Sequence, residues 1–112
     1  MIDTSLKYNI CKDVINKSGQ NNKRTIDVIA NAVINDRFLY QIENNELVAF
    51  VTWEEPQYVD GKKKVFIENL WIDPNYRNSN YVLKIRTILR SIFKDTRAIW
   101  FNRRKQEIIE RI

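Results

Sequence analysis

The chain has 112 residues, with 19 Lys and Arg against 14 Asp and Glu, no His and one Cys. This length predicts a single domain over residues 1–112. The lack of His excludes a Ser-His-Asp triad and a His-ligated metal, and one Cys cannot form an intrachain disulfide or a Cys-rich zinc site. The sequence has no apolar run long enough to span a bilayer, and its start lacks the pattern of a signal peptide. We therefore expect a cytoplasmic protein, encoded by a cell or by a virus.

Positive charge is concentrated in the second half of the chain. Residues 1–56 carry 6 basic and 8 acidic side chains, whereas residues 57–112 carry 13 and 6. This asymmetry predicts that an anionic partner would meet the C-terminal half. A solvated face of Lys and Arg that serves solubility explains the same asymmetry equally well.

Two amphipathic helices are predicted in the first 36 residues. The first has an apolar stripe at steps of four and ends at Gly19, a residue suited to a C-terminal cap; the stripe consists of Leu6, Ile10 and Val14. The second runs from an N-cap at Thr25 to about Asn35. Cys11 lies beside the first stripe with no His to activate it, so we interpret it as a core residue.

From Arg37 onward the apolar period changes from 3.6 to 2, which indicates β-strands. The alternation predicts a β-hairpin, with strands at residues 38–42 and 47–53 and a polar turn at 43–46. Residues 65–72 then form a third strand, and the three strands make an antiparallel meander. Trp53 and Trp71 fall on these strands, so we expect both in the core.

The last third of the chain predicts a βαβ unit. Pro74 ends the third strand, a helix begins within residues 77–80 and runs to about Phe93, and residues 97–101 form a strand parallel to the third. A short helix over residues 106–112 closes the chain. The expected fold is α+β with three layers: two N-terminal helices, the meander, the βαβ unit with its central helix, and the short C-terminal helix.

The stretch Asn69–Val82 resembles the core motif of the GCN5-related N-acetyltransferases. That motif is a strand ending in apolar-x-Pro-x-Tyr-Arg, a loop of pattern Gln/Arg-x-x-Gly-x-Gly/Ala, and a long helix; this chain has Ile-Asp-Pro-Asn-Tyr-Arg followed by Asn-Ser-Asn-Tyr-Val. The strand Leu47–Trp53 resembles that family's preceding hairpin, and the order of elements is similar over nearly the whole chain. The segment Trp100–Lys105 resembles small acetyltransferase-like proteins carried by bacteriophages.

The resemblance implies a site for acetyl-coenzyme A and direct transfer of the acetyl group to an amine of a small molecule or protein. Arg77 would occupy the first position of the loop, and the backbone of the residues after it would hold the pyrophosphate, namely Asn78, Ser79, Asn80, Tyr81 and Val82. Backbone groups of the strand would pair with the pantetheine arm and polarise the thioester carbonyl, namely Leu70, Trp71 and Ile72.

Two side chains are candidates for proton transfer within this resemblance. Glu68 is the candidate base, acting directly or through water, and its alternative is a carboxylate on the solvent face of the strand. The family's thiolate-protonating tyrosine has no counterpart in residues 106–112. Tyr81, with Tyr76 beside it, is the candidate to replace it, although both are more simply explained as core and turn residues.

An alternative function follows from the departures from the motif. Asn80 and Val82 stand where the family loop has small residues, and a basic end follows the last strand: Arg97, Arg103, Arg104 and Lys105 beside Trp100 and Phe101. These cations and aromatics suit nucleic-acid phosphates and bases, the 3′-phosphate of coenzyme A, an acidic protein surface, or simple solvation. The alternative is therefore a non-catalytic, phage-type interaction protein that binds a protein or nucleic acid through this half.

Overall fold

A computed structural model of the chain describes residues 3–59, 61–94, 98–103 and 106–110. The helices are α1 (Thr4–Ser18), α2 (Lys23–Ile34) and α3 (Ser79–Ile92), and a 3₁₀ turn at Pro74–Tyr76 precedes α3. The strands are β1 (Phe38–Glu43), β2 (Glu46–Trp53), β3 (Gln57–Val59), β4 (Lys62–Ile72), β5 (Ala98–Arg103) and β6 (Gln106–Glu110).

In the described part of the chain all strands belong to one sheet in the order β1-β2-β4-β5-β6, with β3 paired to β4 beside this path. The strands pair antiparallel except β4 and β5, which are parallel. The predicted hairpin, meander and βαβ unit are therefore confirmed. The parallel pair requires a crossover, and α3 supplies it.

Helices cover both faces of the sheet, and each face has its own core. On the α3 face the buried side chains are Leu39, Val48, Ala49, Val51, Trp53, Val65, Ile67, Ile72, Tyr81, Ile85, Leu89 and Phe93. On the face of α1 and α2 they are Ile10, Val14, Ile29, Val33, Leu47 and Phe50, with Cys11 and Trp71 packed against them. This arrangement confirms the three-layer α+β class, the core position of Trp53 and the packing of Cys11, whose thiol pKa is raised by burial.

One predicted boundary is wrong and one strand was not predicted. Helix α2 begins three residues earlier than expected, because Asn22 rather than Thr25 is its N-cap. The Asn22 side chain is the acceptor for the backbone N–H of Thr25, at 3.2 Å. The strand β3 was not predicted; it forms a small hairpin with the start of β4, in which Gln57 is opposite Lys64.

The predicted C-terminal helix is also wrong, because residues 106–110 form the strand β6. In this strand Gln106 lies opposite Arg103 and Glu110 lies opposite Ile99 of β5. A helix of two turns is only marginally stable by itself. Pairing with β5 instead satisfies the backbone groups on one edge of β6.

Gly19 ends α1 in the left-handed conformation, with φ +70° and ψ 23°, which confirms it as the cap. We expect Gly19→Ala to destabilise the fold by about 1 kcal/mol, because a Cβ disfavours this region of φ and ψ. No atom lies within 4 Å of the position that a Cβ would take, so the effect is conformational and not steric. Urea denaturation measures it. Gly19→Asn should lower the free energy of unfolding by less than Gly19→Ala does, since Asn tolerates positive φ. Equal losses of stability for the two variants would contradict the argument.

Candidate functional site

The parallel strands β4 and β5 separate in the middle of the sheet. Their last paired residues are Ile67 and Phe101, but β4 continues for five residues to Ile72. The unpaired stretch is about 13 Å long at roughly 3.3 Å per residue. It leaves an opening between the strands that leads toward the N-terminus of α3, and we call it the β4–β5 opening.

One edge of β4 faces this opening with backbone groups that do not pair with β2. The N–H of Asp73 donates to the carbonyl of Val48 at 2.7 Å, so Asp73 is directed toward β2. Backbone groups alternate in direction along a strand, hence those of Trp71 point toward β2 and those of Leu70 and Ile72 point into the opening. Of the three strand residues predicted to meet a pantetheine arm, Leu70 and Ile72 have backbone groups on this edge, and the carbonyl of Ile72 already accepts from Nε of Arg77. Trp71 instead pairs with Phe50 in register and packs on its ring.

The N-terminus of α3 presents two unpaired amides. Asn78 caps the helix: its side chain accepts from the N–H of Tyr81 at 2.9 Å and its carbonyl accepts from the N–H of Val82 at 3.0 Å. The N–H groups of Ser79 and Asn80 donate to no group in the described part of the chain. The first turn carries no acidic side chain. These two amides and the positive end of the helix dipole are therefore suited to an anion.

The segment between β4 and α3 is held by side-chain contacts to its own backbone. Asp73 accepts from the N–H of Asn75 at 2.9 Å, and its other carboxylate oxygen lies 3.8 Å from Nζ of Lys17 on α1. The Nε of Arg77 donates to the carbonyl of Ile72 at 2.7 Å. Arg77 therefore lies at the end of the β4–β5 opening and spans from the loop to the strand.

Glu68 occupies a β-bulge in β4, at the residue where the opening begins. Thr52 of β2 is opposite Asn69 and Trp53 is opposite Ile67, so Glu68 has no partner of its own. Its carboxylate lies 3.6 Å from the guanidinium of Arg37, whose side chain is 11% exposed. The same guanidinium donates to the carbonyl of Trp53.

The surroundings of Glu68 make its carboxylate easier to protonate than an exposed one. Burial raises the pKa of the carboxyl above the ordinary 4.5, the charge of Glu54 raises this pKa further, and Arg37 lowers it in part. One carboxylate oxygen is buried without a hydrogen-bond partner among the described residues. Its side chain is 20% exposed, so the carboxylate lies partly withdrawn from solvent. A partly desolvated carboxylate of raised pKa has the properties of a general base.

A cavity of about 300 Å³ lies next to this carboxylate, between α2 and the bulge of β4. We call it the α2–β4 cavity; it is lined by Arg24, Thr25, Val28, Glu54, Phe66, Ile67, Glu68 and Asn69. Sequence reasoning found only Glu68 in this set. Arg24 lies at the start of α2 and Glu54 directly after β2, and no local pattern indicates that they line one cavity.

Tyr81 lies elsewhere. Its ring packs at 5.3 Å against Tyr76 and below the ammonium group of Lys84, which pairs with Glu43 at 2.7 Å. Glu43 ends β1, the strand at the opposite side of the sheet from β5. The residue is 8% exposed, and its hydroxyl is buried without a hydrogen-bond partner in the described part of the chain. These contacts fit the core alternative for Tyr81, and they place it on the β1 side of α3, away from the β4–β5 opening.

The basic end predicted as a partner surface falls mostly outside the described residues. Arg97, Arg104 and Lys105 lie outside them, and of Arg103 only the backbone, in β5, is described. Within the described ranges no helix is long and apolar enough to cross a membrane.

Comparisons with known proteins find the relationship in the fold and not in the sequence. No protein-family model matches the chain. No curated protein matches its sequence either. A predicted acetyltransferase from Clostridium acetobutylicum, solved with acetyl-CoA, has a TM-score of 0.55 at 18% identity over 92% of this chain and 76% of that one.

Two further solved structures show the same likeness. A GCN5-related N-acetyltransferase from Kribbella flavida gives a TM-score of 0.55 at 19% identity over 88% of this chain and 28% of that one. The ribosomal-protein-alanine N-acetyltransferase from Brucella melitensis biovar Abortus 2308 gives a TM-score of 0.62 at 10% identity over 93% of this chain and 77% of that one. The phage origin and the cytoplasmic location stay predictions from the sequence. The fold itself is that of the GCN5-related N-acetyltransferases.

Proposed function

We propose that the protein is an acyltransferase that moves an acetyl group from acetyl-coenzyme A to an amine. The observation that carries this proposal is the β4–β5 opening, which runs from the bulge at Glu68 to the unpaired amides of Ser79 and Asn80. A sheet that opens internally and ends at a free helix N-terminus offers backbone hydrogen bonds for an extended ligand and a positive end for its phosphates.

Each part of the opening would meet a different part of the donor. The amides of Ser79 and Asn80 would hold the pyrophosphate, and Arg77 lies at the same end to add a cation. The N–H and carbonyl of Leu70 and the N–H of Ile72 would pair with the pantetheine arm. When bound, acetyl-coenzyme A supplies an activated acyl group, so no nucleophilic side chain is needed.

Glu68 would remove the proton from the acceptor amine. Its raised pKa lies closer to the pKa of an amine than that of an ordinary carboxylate does, which makes the proton transfer less unfavourable. An N–H of β4 that faces the opening would donate to the oxygen of the thioester carbonyl as negative charge develops on it. The remaining contribution is orientation, because donor and acceptor would meet at the bulge.

Thermal unfolding with and without acetyl-coenzyme A tests the binding step. Ligand at 100 times its dissociation constant should stabilise the fold by about 2.7 kcal/mol. No shift at millimolar ligand would remove the proposal and leave the alternative of a binding protein that keeps the fold. Amine-dependent release of the coenzyme A thiol then tests transfer itself.

A proline at the first residue of α3 tests the amide cradle. Ser79→Pro removes one N–H but suits the helix, because proline is favoured at this position and Asn78 has the extended ψ of 164° that a following proline requires. We expect roughly 10-fold weaker binding of acetyl-coenzyme A or more, since a hydrogen bond to a charged group contributes about 1.5–3 kcal/mol. Calorimetric titration measures the change.

The matched control is Thr4→Pro at the same position of α1, where Asp3 caps the helix with ψ 167°. It should leave the affinity for acetyl-coenzyme A unchanged. If Ser79→Pro binds the donor as tightly as the parent protein, the pyrophosphate lies elsewhere.

A further inference from the structure

The α2–β4 cavity is lined by both signs of charge, and this restricts the acceptor that fits it. We propose that the acceptor is a small zwitterionic amine, an amino acid with an apolar side chain, whose ammonium group binds at Glu54 and Glu68 and whose carboxylate binds at Arg24. This inference rests on the proposed function, because it assigns the acceptor of the same reaction. It selects a free small molecule over an amine on a protein.

The volume of the cavity sets the size of the acceptor. About 300 Å³ is at the lower end of the range for small-molecule sites. A free amino acid fits a space of this size. Between the charged ends, Val28 and Phe66 contribute apolar surface, and Thr25 and Asn69 add polar groups.

The β4 end of the cavity attracts a cation. Glu54 follows β2, its N–H donates to the carbonyl of Phe66 at 2.9 Å, and its charge acts on Glu68. Arg37 balances one of these two carboxylates, with its guanidinium 3.6 Å from Glu68, beyond hydrogen-bond length. When both carboxylates are ionised the three side chains have a net charge of −1, which the ammonium group of an acceptor would neutralise.

The α2 end of the cavity attracts an anion. Arg24 is exposed, is the second residue of α2, and lies on the rim of the cavity. Its backbone N–H donates to no group in the described part of the chain, and the first turn of α2 carries no acidic side chain. A carboxylate here would meet the guanidinium and the positive end of the helix dipole together.

The position of the cavity relative to the opening supports the same assignment. The cavity touches β4 at residues 66–69, and the β4–β5 opening begins after Ile67. An amine held at Glu68 would therefore reach the strand position at which the thioester end of the donor would lie. The carboxylate of the acceptor would point away from it, toward α2.

Three ligands with the same branched carbon chain test the contributions of the ammonium and the carboxylate group separately. Leucine carries both, isopentylamine lacks the carboxylate, and 4-methylpentanoate lacks the amine. Calorimetric titration of the full chain should give leucine at least 10-fold tighter binding than either of the other two. Equal binding of leucine and isopentylamine overturns the inference.

Arg24→Gln identifies the group that reads the carboxylate. It should weaken the binding of leucine at least 10-fold and leave the binding of isopentylamine unchanged. Arg90→Gln, on the exposed side of α3, should change the affinity for neither probe. If Arg24→Gln weakened the binding of leucine and of isopentylamine to the same degree, the assignment of Arg24 would be overturned. Because Arg24 is exposed, the variant is expected to fold, and its thermal unfolding verifies this.

The two hypotheses fail separately. A thermal shift with acetyl-coenzyme A but no preference for leucine would overturn the acceptor and leave the acyltransferase. Tight, Arg24-dependent leucine binding without any shift by acetyl-coenzyme A would support the amino-acid site and remove the transfer reaction. Thiol release that depends on leucine and acetyl-coenzyme A together supports both.

Discussion

Glu68→Gln is expected to lower the rate of amine-dependent thiol release by about 100- to 10,000-fold, the usual contribution of a general base. The amide keeps the shape of the side chain but cannot accept the proton of the amine. Affinity for acetyl-coenzyme A should stay as in the parent protein, since the amides of Ser79 and Asn80 are unaffected. Initial rates at saturating donor, with leucine as the first acceptor, measure the loss.

The same substitution should raise thermal stability at neutral pH. The pKa of Glu68 is raised above its ordinary 4.5 in the folded protein, so protonation favours the fold, and the ionised group destabilises it once the pH exceeds that value. Gln carries no charge, so the variant should be more stable than the parent protein at pH 7. Below about pH 4 the parent carboxyl is protonated, and the two proteins should not differ in this way. Thermal unfolding of both proteins at the two pH values tests the sign.

Glu55→Gln is the matched control, because Glu55 is exposed and its charge is not needed in the proposed site. It should alter neither the rate nor the pH dependence of stability. An unchanged rate in Glu68→Gln would assign the proton to another group. A loss of stability at pH 7 would mean that the pairing with Arg37 outweighs the effect of burial.

Leu89→Ala is expected to destabilise the fold by about 2–5 kcal/mol. Leu89 is 1% exposed on the inner side of α3, among the side chains that cover β2 and β4. Its truncation removes apolar contacts and leaves a space that the surrounding helix and sheet fill only in part. Such a loss is a large share of the stability of a small domain.

Leu83→Ala is the matched control, with the same substitution in the same helix at a side chain that is 58% exposed. We expect a change of at most about 0.5 kcal/mol, as is usual for surface positions. Urea denaturation with a two-state fit measures both variants. Equal losses would contradict the assigned orientation of α3 on the sheet.

The fold could be predicted where a local pattern carries the information. The alternation in residues 38–53 and the stripe of α3 identified the hairpin and the central helix, and Pro74 marked the end of β4. Residues 106–110 have no such pattern, and their strand exists because β5 offers a partner. The small strand β3 depends in the same way on β4.

The candidate site could be predicted only along one stretch of chain. Residues 68–82 are continuous in sequence, so the resemblance pointed to Glu68, Arg77 and the start of α3 together. The α2–β4 cavity combines the start of α2, the residue after β2 and residues 66–69 of β4, and its side chains come together only through tertiary packing. The bulge at Glu68 depends on the register with β2, which sequence alone does not specify.

The position of the β4–β5 opening has a consequence for the behaviour of the protein in solution. Unpaired strand edges at the margin of a sheet recruit strands from other molecules and promote aggregation. Here the backbone groups of Leu70 and the N–H of Ile72 face the interior of the sheet, between β4 and β5. The molecule can therefore keep an exposed row of backbone donors and acceptors for a slender ligand without offering a neighbouring polypeptide a template for intermolecular β-pairing.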